Sequence, residues 1–236
     1  MTDTNLEPLY ALARSIEGIV LDVDGVLTDG KITYLSDGSE LKSFHVQDGG
    51  SLKLLASQGV AIAIITGRQS NIVERRAKEL GITFVQQGVD SKASALDQII
   101  DNGFPAADLC AIGDDLQDLE LFNHDAVSLA ATVANAHPAV LDRAQFVTRR
   151  QGGAGVVVEL AELVLRAKDR WPHAGERFTL QYFGEPPAAQ EGLSSLLLIM
   201  LVGCFSCLQT PQPDRTILGY PASVWPVSAC WLWQLH

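Results

Sequence analysis

The sequence predicts an α/β fold, a doubly wound parallel sheet with a small β-hairpin insertion and no large cap domain. Three observations carry this: short apolar runs alternate with helical stretches, carboxylates or hydroxyls follow several of those runs, and each of three helical stretches stops at a glycine. Alternating strands and helices specify parallel strands joined by right-handed crossovers, with the ligand crevice at the carboxyl ends of the strands.

The first strand is expected at residues 18–23, Gly-Ile-Val-Leu-Asp-Val, an apolar run that ends in carboxylates. Such a run fits a strand buried on both faces whose end meets solvent. Further strands are expected at 60–65, 83–85, 109–112 and 127–129. Helices are expected at 51–58, 69–80 and 92–102, closed by Gly59, Gly81 and Gly103, because a helix commonly ends on a left-handed residue that glycine adopts without strain. Residues 31–35 and 40–45 flank Ser36-Asp37-Gly38-Ser39, a polar turn, and predict a hairpin at about residues 31–45. Its Ile32, Tyr34, Leu41 and Phe44 present more apolar surface than two strands can hide, so the hairpin is expected to pack on other subunits.

At 236 residues one core is the default, and a formal net charge of −11 argues against a nucleic-acid or anionic-membrane surface. The N-terminus lacks a basic segment followed by a long apolar run, so a cytoplasmic protein is expected. Residues 1–170 are assigned to the enzymatic domain. Beyond them, residues 186–236 carry only Glu191, Asp214 and Arg215 as charged side chains, and residues 171–236 are expected to be an atypical apolar extension, poorly ordered or non-native. Their apolar stretch, residues 193–208, is shorter than the roughly 20 residues that span a bilayer, and a membrane partner is not expected.

The chemistry starts at Asp22-Val23-Asp24-Gly25. Two carboxylates two apart leave a strand end on the same side, and such a pair can divide the work of attacking phosphorus and carrying a proton. An Asx turn after a strand would use the same residues. Thr66-Gly67-Arg68 follows the next long strand, where a hydroxyl and a backbone N–H can hold phosphoryl oxygens. Lys92 opens a helix, where it could neutralise a nucleophile and a phosphate, although a lysine there is more often solvated. Asp114-Asp115-Leu116-Gln117-Asp118 forms an acidic cluster suited to a hard cation such as Mg²⁺, with one of its aspartates expected to be a helix cap.

The ordered set, Asp-x-Asp, Thr, Lys, Asp-Asp, resembles the haloacid dehalogenase superfamily over about residues 15–167. The resemblance implies a Mg²⁺-dependent phosphoric monoester hydrolase with Asp22 as nucleophile, Asp24 as acid and base, and Thr66 and Lys92 as phosphate ligands. It places the metal among Asp22, Asp24, Asp114 and Asp115. Gly38-Ser39-Glu40-Leu41-Lys42-Ser43-Phe44, Thr66-Gly67-Arg68, Gly88 and Gly152-Gly153-Ala154-Gly155 narrow it to a family of capless phosphatases acting on 3-deoxy-D-manno-octulosonate 8-phosphate. That family implies a homotetramer in which the hairpin helps to close a neighbour's site. Lys42, Arg68 and Arg76 are candidate contacts for the carboxylate of an acidic sugar phosphate, with Thr28 and Gly67 as further substrate contacts. A phosphatase for a nine-carbon acid sugar remains open, and so does a phospho-receiver domain, although a receiver places its acidic pair on the first strand.

Overall fold

The computed structural model describes residues 7–171, so the expected C-terminal extension lies outside the described residues apart from Trp171. The chain runs α1 (Glu7–Ser15), β1 (Gly18–Leu21), β2 (Thr33–Tyr34), β3 (Glu40–Leu41), α2 (Val46–Ser57), β4 (Ala61–Thr66), α3 (Asn71–Leu80) and β5 (Phe84–Gln87). It continues through α4 (Lys92–Asp101), β6 (Leu109–Gly113), a 3-10 turn (Leu116–Asp118), α5 (Leu119–Phe122), β7 (Val127–Thr132), α6 (Pro138–Leu141), β8 (Phe146–Val147) and α7 (Val156–Ala167). Six parallel strands form one sheet in the order β5-β4-β1-β6-β7-β8. The chain leaves β1 first toward β4 and β5, then returns to its other side for β6, β7 and β8. That reversal at β1 opens a crevice beyond the ends of β1, β4 and β6.

Burial on both faces follows from the two-residue period of a strand. Ile19, Leu21, Ile62, Ile64, Cys110 and Ile112 face one core with α1, α2, α3 and α7. Val20, Ala63, Ile65, Leu109 and Ala111 face the other, against α4 and α5. Gly81 closes α3 with φ 74°, and Gly59 and Gly103, at φ 82° and 97°, sit just past α2 and α4.

Three expectations are corrected. Helix α2 begins at Val46, five residues earlier than expected, and so contains Gly49 and Gly50. A glycine inside a helix is unfavourable by about 0.5–1 kcal/mol; a β-carbon at Gly49 would meet the Arg76 guanidinium at 2.3 Å and Leu80 Cδ2 at 3.1 Å, where α2 faces α3. Strands β2 and β3 shrink to two residues each, Thr33 opposite Leu41 and Tyr34 opposite Glu40. Ile32, Tyr34, Leu35 and Leu41 are exposed on this hairpin, whereas Phe44 turns inward and packs on the core with Arg76 stacked over its ring. Helices α1 and α7 were not anticipated, although α7 buries Val156, Val157, Leu160, Ala161 and Val164, a spacing that fits the helical period. Between β1 and α2 the hairpin is the sole insertion among the described residues. No helix among the described residues is long and apolar enough to cross a membrane.

Candidate active site

Strand β1 delivers Asp22 to the crevice. Asp22 N donates to Ile112 O, extending the β1–β6 ladder by one residue, and the chain then turns as Leu27 N and Thr28 N both donate to Val23 O. Gly25 adopts φ 101° within this turn, and a β-carbon there would collide with the Asp114 carboxylate. The glycine therefore lets the β6 end approach the β1 end. The segment with Gly152 and Gly153 packs behind the same turn of its own chain: Gly153 N donates to Val26 O, and a β-carbon on Gly152 would overlap Gly25 O.

Lys92 is the first residue of α4, whose N-cap Ser91 accepts from Ser94 N. From there its side chain reaches inward, only 4% exposed, and Nζ donates to Asp22 Oδ1 at 2.8 Å and to Asp118 Oδ1 at 2.5 Å. Burial works against the ammonium, but Asp22 and Asp118 outweigh it and hold its pKa above the ordinary lysine value. Asp118 has both oxygens engaged, since Oδ2 accepts from Asp114 N and Asp115 N at 2.9 and 3.0 Å. It thus ties the lysine to the loop that carries Asp114.

Carboxylate oxygens of Asp22, Asp114 and Asp118 lie within 4.8 Å of one another. Three carboxylates against one ammonium leave a surplus of two negative charges. Burial, then the charge of Asp118, raises the Asp22 pKa to about 6, with Lys92 pulling in the opposite direction. Burial, then Asp22, Asp118 and Asp115, raises that of Asp114 to about 7. Asp114 Oδ1 is buried without a hydrogen-bond partner among the described residues. Carboxylates held this close, with an orphaned oxygen among them, fit a divalent cation that takes oxygen ligands. Asp22 and Asp114 are the residues free to hold it, because Lys92 and the backbone occupy Asp118.

The remaining expected residues are distributed as follows. A cleft of about 350 Å³ is lined by Asp22, Asp24, Thr66, Gly67, Arg68, Lys92, Asp115 and Asp118. Asp115 is exposed and spends Oδ1 on Leu116 N at 2.7 Å, capping the 3-10 turn. Thr28 is buried behind Asp24, with Oγ1 3.3 Å from Asp24 Oδ1, and does not line the cleft. Lys42 donates to the same oxygen at 2.5 Å from the hairpin side. Arg76 lies outside the cleft, over Phe44 and 3.5 Å from Glu79. Two residues without an assigned role join the constellation. One is Asp118; the other is Glu40, which accepts from Arg68 Nη2 at 2.8 Å. Glu40 and Lys42 sit two apart on the hairpin, the spacing that puts both on one side of a strand.

This fold, a parallel sheet with an Asp-x-Asp turn on its central strand and an acidic cluster on the next, defines a class: the haloacid dehalogenase-like hydrolase family matches residues 83–160. The 3-deoxy-D-manno-octulosonate 8-phosphate phosphatase of Escherichia coli K12 is 39% identical over 167 residues, covering 70% of this chain and 88% of that protein. The Yersinia pestis enzyme of the same name is 40% identical over 159 residues, 67% of this chain and 84% of its own. Among solved structures, the Moraxella catarrhalis phosphatase in complex with magnesium, phosphate and KDO superposes with a TM-score of 0.66 at 40% identity, covering 70% of this chain and 94% of that one. A cobalt-bound phosphatase from Haemophilus influenzae gives 0.63 at 35% identity, with coverage of 67% and 92%. The chain belongs to this phosphatase family of haloacid dehalogenase-like hydrolases.

Proposed function

We propose that the chain hydrolyses 3-deoxy-D-manno-octulosonate 8-phosphate to the free sugar acid and phosphate, using Mg²⁺ and an aspartyl-phosphate on Asp22. The observation that carries this reading is the Asp22–Lys92–Asp118 arrangement beside Asp114: a buried carboxylate at a strand end, held by a buried ammonium, with two negative charges left to balance. When bound, Mg²⁺ held by Asp22 and Asp114 supplies positive charge that offsets the repulsion between nucleophile and phosphate. Lys92 fixes one oxygen of Asp22 and leaves the other to attack phosphorus. Thr66, at the end of β4, and the Gly67 backbone present donors to the phosphoryl oxygens. Asp24 gives a proton to the departing oxygen and then takes one from water.

The exposed Ile32, Tyr34, Leu35 and Leu41 support assembly through the hairpin, in a closed oligomer that we take to be a tetramer in which one subunit shields the next one's cleft from water. The same reading places the enzyme in the cytoplasm, with residues 1–170 carrying the activity. Phosphate release from a panel of eight- and nine-carbon acid-sugar phosphates, with Mg²⁺ and with chelator, tests it. Mg²⁺-dependent release with the highest kcat/KM on the eight-carbon ester supports the proposal. Equal release in chelator, or preference for a nine-carbon ester, refutes it.

A further inference from the structure

Asp22 and Asp114, the two residues free to hold the metal, follow different strands, and the chain ties their segments together in two ways. The first tie is direct. Gly25, in the turn after Asp22, lies against the Asp114 carboxylate with no room for a β-carbon between them. The second runs through the loop that precedes α7. Gly152 packs against Gly25 O, again with no room for a β-carbon, and Gly153 N donates to Val26 O at 2.9 Å. Gly152 N in turn donates to Asn135 Oδ1 at 2.9 Å, and two residues further on His137 N donates to Asp114 O at 2.8 Å. A circuit of hydrogen bonds thus joins the Asp114 main chain to the Asp22 turn by way of Asn135 and the glycine loop. Its other links are backbone to backbone; Asn135 supplies the one side chain. A parallel tie, Ala134 N to Arg150 O at 3.2 Å, reaches the loop two residues short of the glycine that touches Gly25.

The circuit carries a load. Carboxylate oxygens of Asp22, Asp114 and Asp118 lie within 4.8 Å of one another, and like charges at that range repel. Repulsion drives the Asp22 turn and the Asp114 segment apart, and the circuit resists it. We infer that Asn135 is a positioning residue for the metal site: its amide oxygen holds the glycine loop against Gly25 and keeps the two segments at their metal-binding separation before an ion arrives. This rests on the reading above that Asp22 and Asp114 hold Mg²⁺. Asn135 is exposed and does not line the cleft, so replacing it removes the bond without opening a core cavity or a substrate contact. Without the bond the metal-free protein relaxes outward, and part of the binding free energy goes into bringing the segments back. That loss is bounded by the net worth of one hydrogen bond, at most about tenfold in affinity, or about 1.4 kcal/mol.

The test is calorimetric titration of the full chain with Mg²⁺ at fixed pH, beside the Tm of each metal-free protein. Asn135→Ala should weaken Mg²⁺ affinity by about three- to tenfold, and the Mg²⁺ concentration for half-maximal phosphate release should rise by the same factor. Asn135→Asp, which keeps an acceptor oxygen in the same place, should stay within about threefold of wild type. Val164→Ala, which removes buried side-chain volume from α7 and leaves the circuit intact, should lower Tm more than Asn135→Ala does while leaving affinity unchanged. If Asn135→Ala does not fold, Asn135→Ser, whose hydroxyl is too short to reach Gly152 N, carries the same expectations. An alanine variant that binds within about threefold of wild type overturns the inference. So does a loss that Asn135→Asp does not restore, or an equal loss in Val164→Ala, since affinity would then merely follow stability. Asp114→Asn separates the two readings. If wild type shows no saturable Mg²⁺ binding, or Asp114→Asn binds as tightly, the metal placement has failed and the inference with it; if only the Asn135 variants are silent, the inference alone has.

Discussion

Replacing Lys92 with methionine preserves the length and apolar stem of the side chain but removes the cation between two buried carboxylates. Lys92 is 4% exposed and bridges Asp22 at 2.8 Å to Asp118 at 2.5 Å. Breaking a buried ion pair by deleting one partner costs about 3–5 kcal/mol, because the remaining charges stay buried without compensation. For a domain of this size that is a fall in Tm of roughly 6–20 °C. The loss must depend on pH. In the folded, metal-free protein the Asp22 pKa stands at about 6, above the ordinary carboxylate value of 3.8, chiefly through burial and the neighbouring Asp118, with Lys92 holding it down. A carboxylate whose folded pKa is raised stabilises the fold below its unfolded pKa and loses that contribution as pH rises through the folded value. Removing Lys92 pushes the Asp22 pKa higher still, so the deficit should be largest near pH 8 and shrink toward pH 5, where Asp22 is protonated. Urea denaturation of both proteins in chelator at the two pH values measures it. A deficit under about 1 kcal/mol, the range of exposed ion pairs, or one that does not change with pH, would refute the argument.

Three other outcomes follow from the same geometry. Asp24→Asn should reduce sugar-phosphate turnover by roughly 10²- to 10⁴-fold, the worth of a proton donor in the transition state, and spare an aryl phosphate in part; equal losses count against the acid role. Mg²⁺ affinity should strengthen from pH 5.5 to 8, since Asp22 and Asp114, at about 6 and 7, must release their protons to bind it; calorimetric titration that finds a constant or weakening affinity contradicts this. Replacing exposed Tyr34 and Leu41 with serine should lower the oligomer mass seen by light scattering together with turnover, and a fully active wild-type monomer would defeat the assembly proposal.

Much of the site was legible because its parts depend on local rules. Asp22, Thr66 and Asp114 sit at strand ends, and strands announce themselves as apolar runs bounded by helices with glycine stops. What was not legible depends on geometry beyond one element. Asp115 and Asp118 look alike in sequence, but the 3-10 turn sends Asp115 outward as its cap and turns Asp118 inward under the backbone N–H groups of residues 114 and 115. The start of α2 was hidden by Gly49 and Gly50, and the neighbour of Gly49, the Arg76 guanidinium, lies on another helix. Phe44 could not be placed because it lies beyond a two-residue strand, too short to set which side its successors face. Arg68 and Arg76 are equally plausible anion ligands as residue types; only the turn after β4 aims Arg68 at the cleft, while the packing of α3 commits Arg76 to Phe44.

On the proposed mechanism Asp22 becomes phosphorylated during turnover. Acid-quenching the enzyme during turnover with Mg²⁺ and mapping the acyl phosphate by peptide mass spectrometry tests it most directly. Phosphate is expected on Asp22 in the wild-type protein, and neither label nor turnover in Asp22→Asn, whose amide lacks the attacking anionic oxygen. Label on another residue, or an Asp22→Asn enzyme within about tenfold of wild-type kcat/KM, would contradict it.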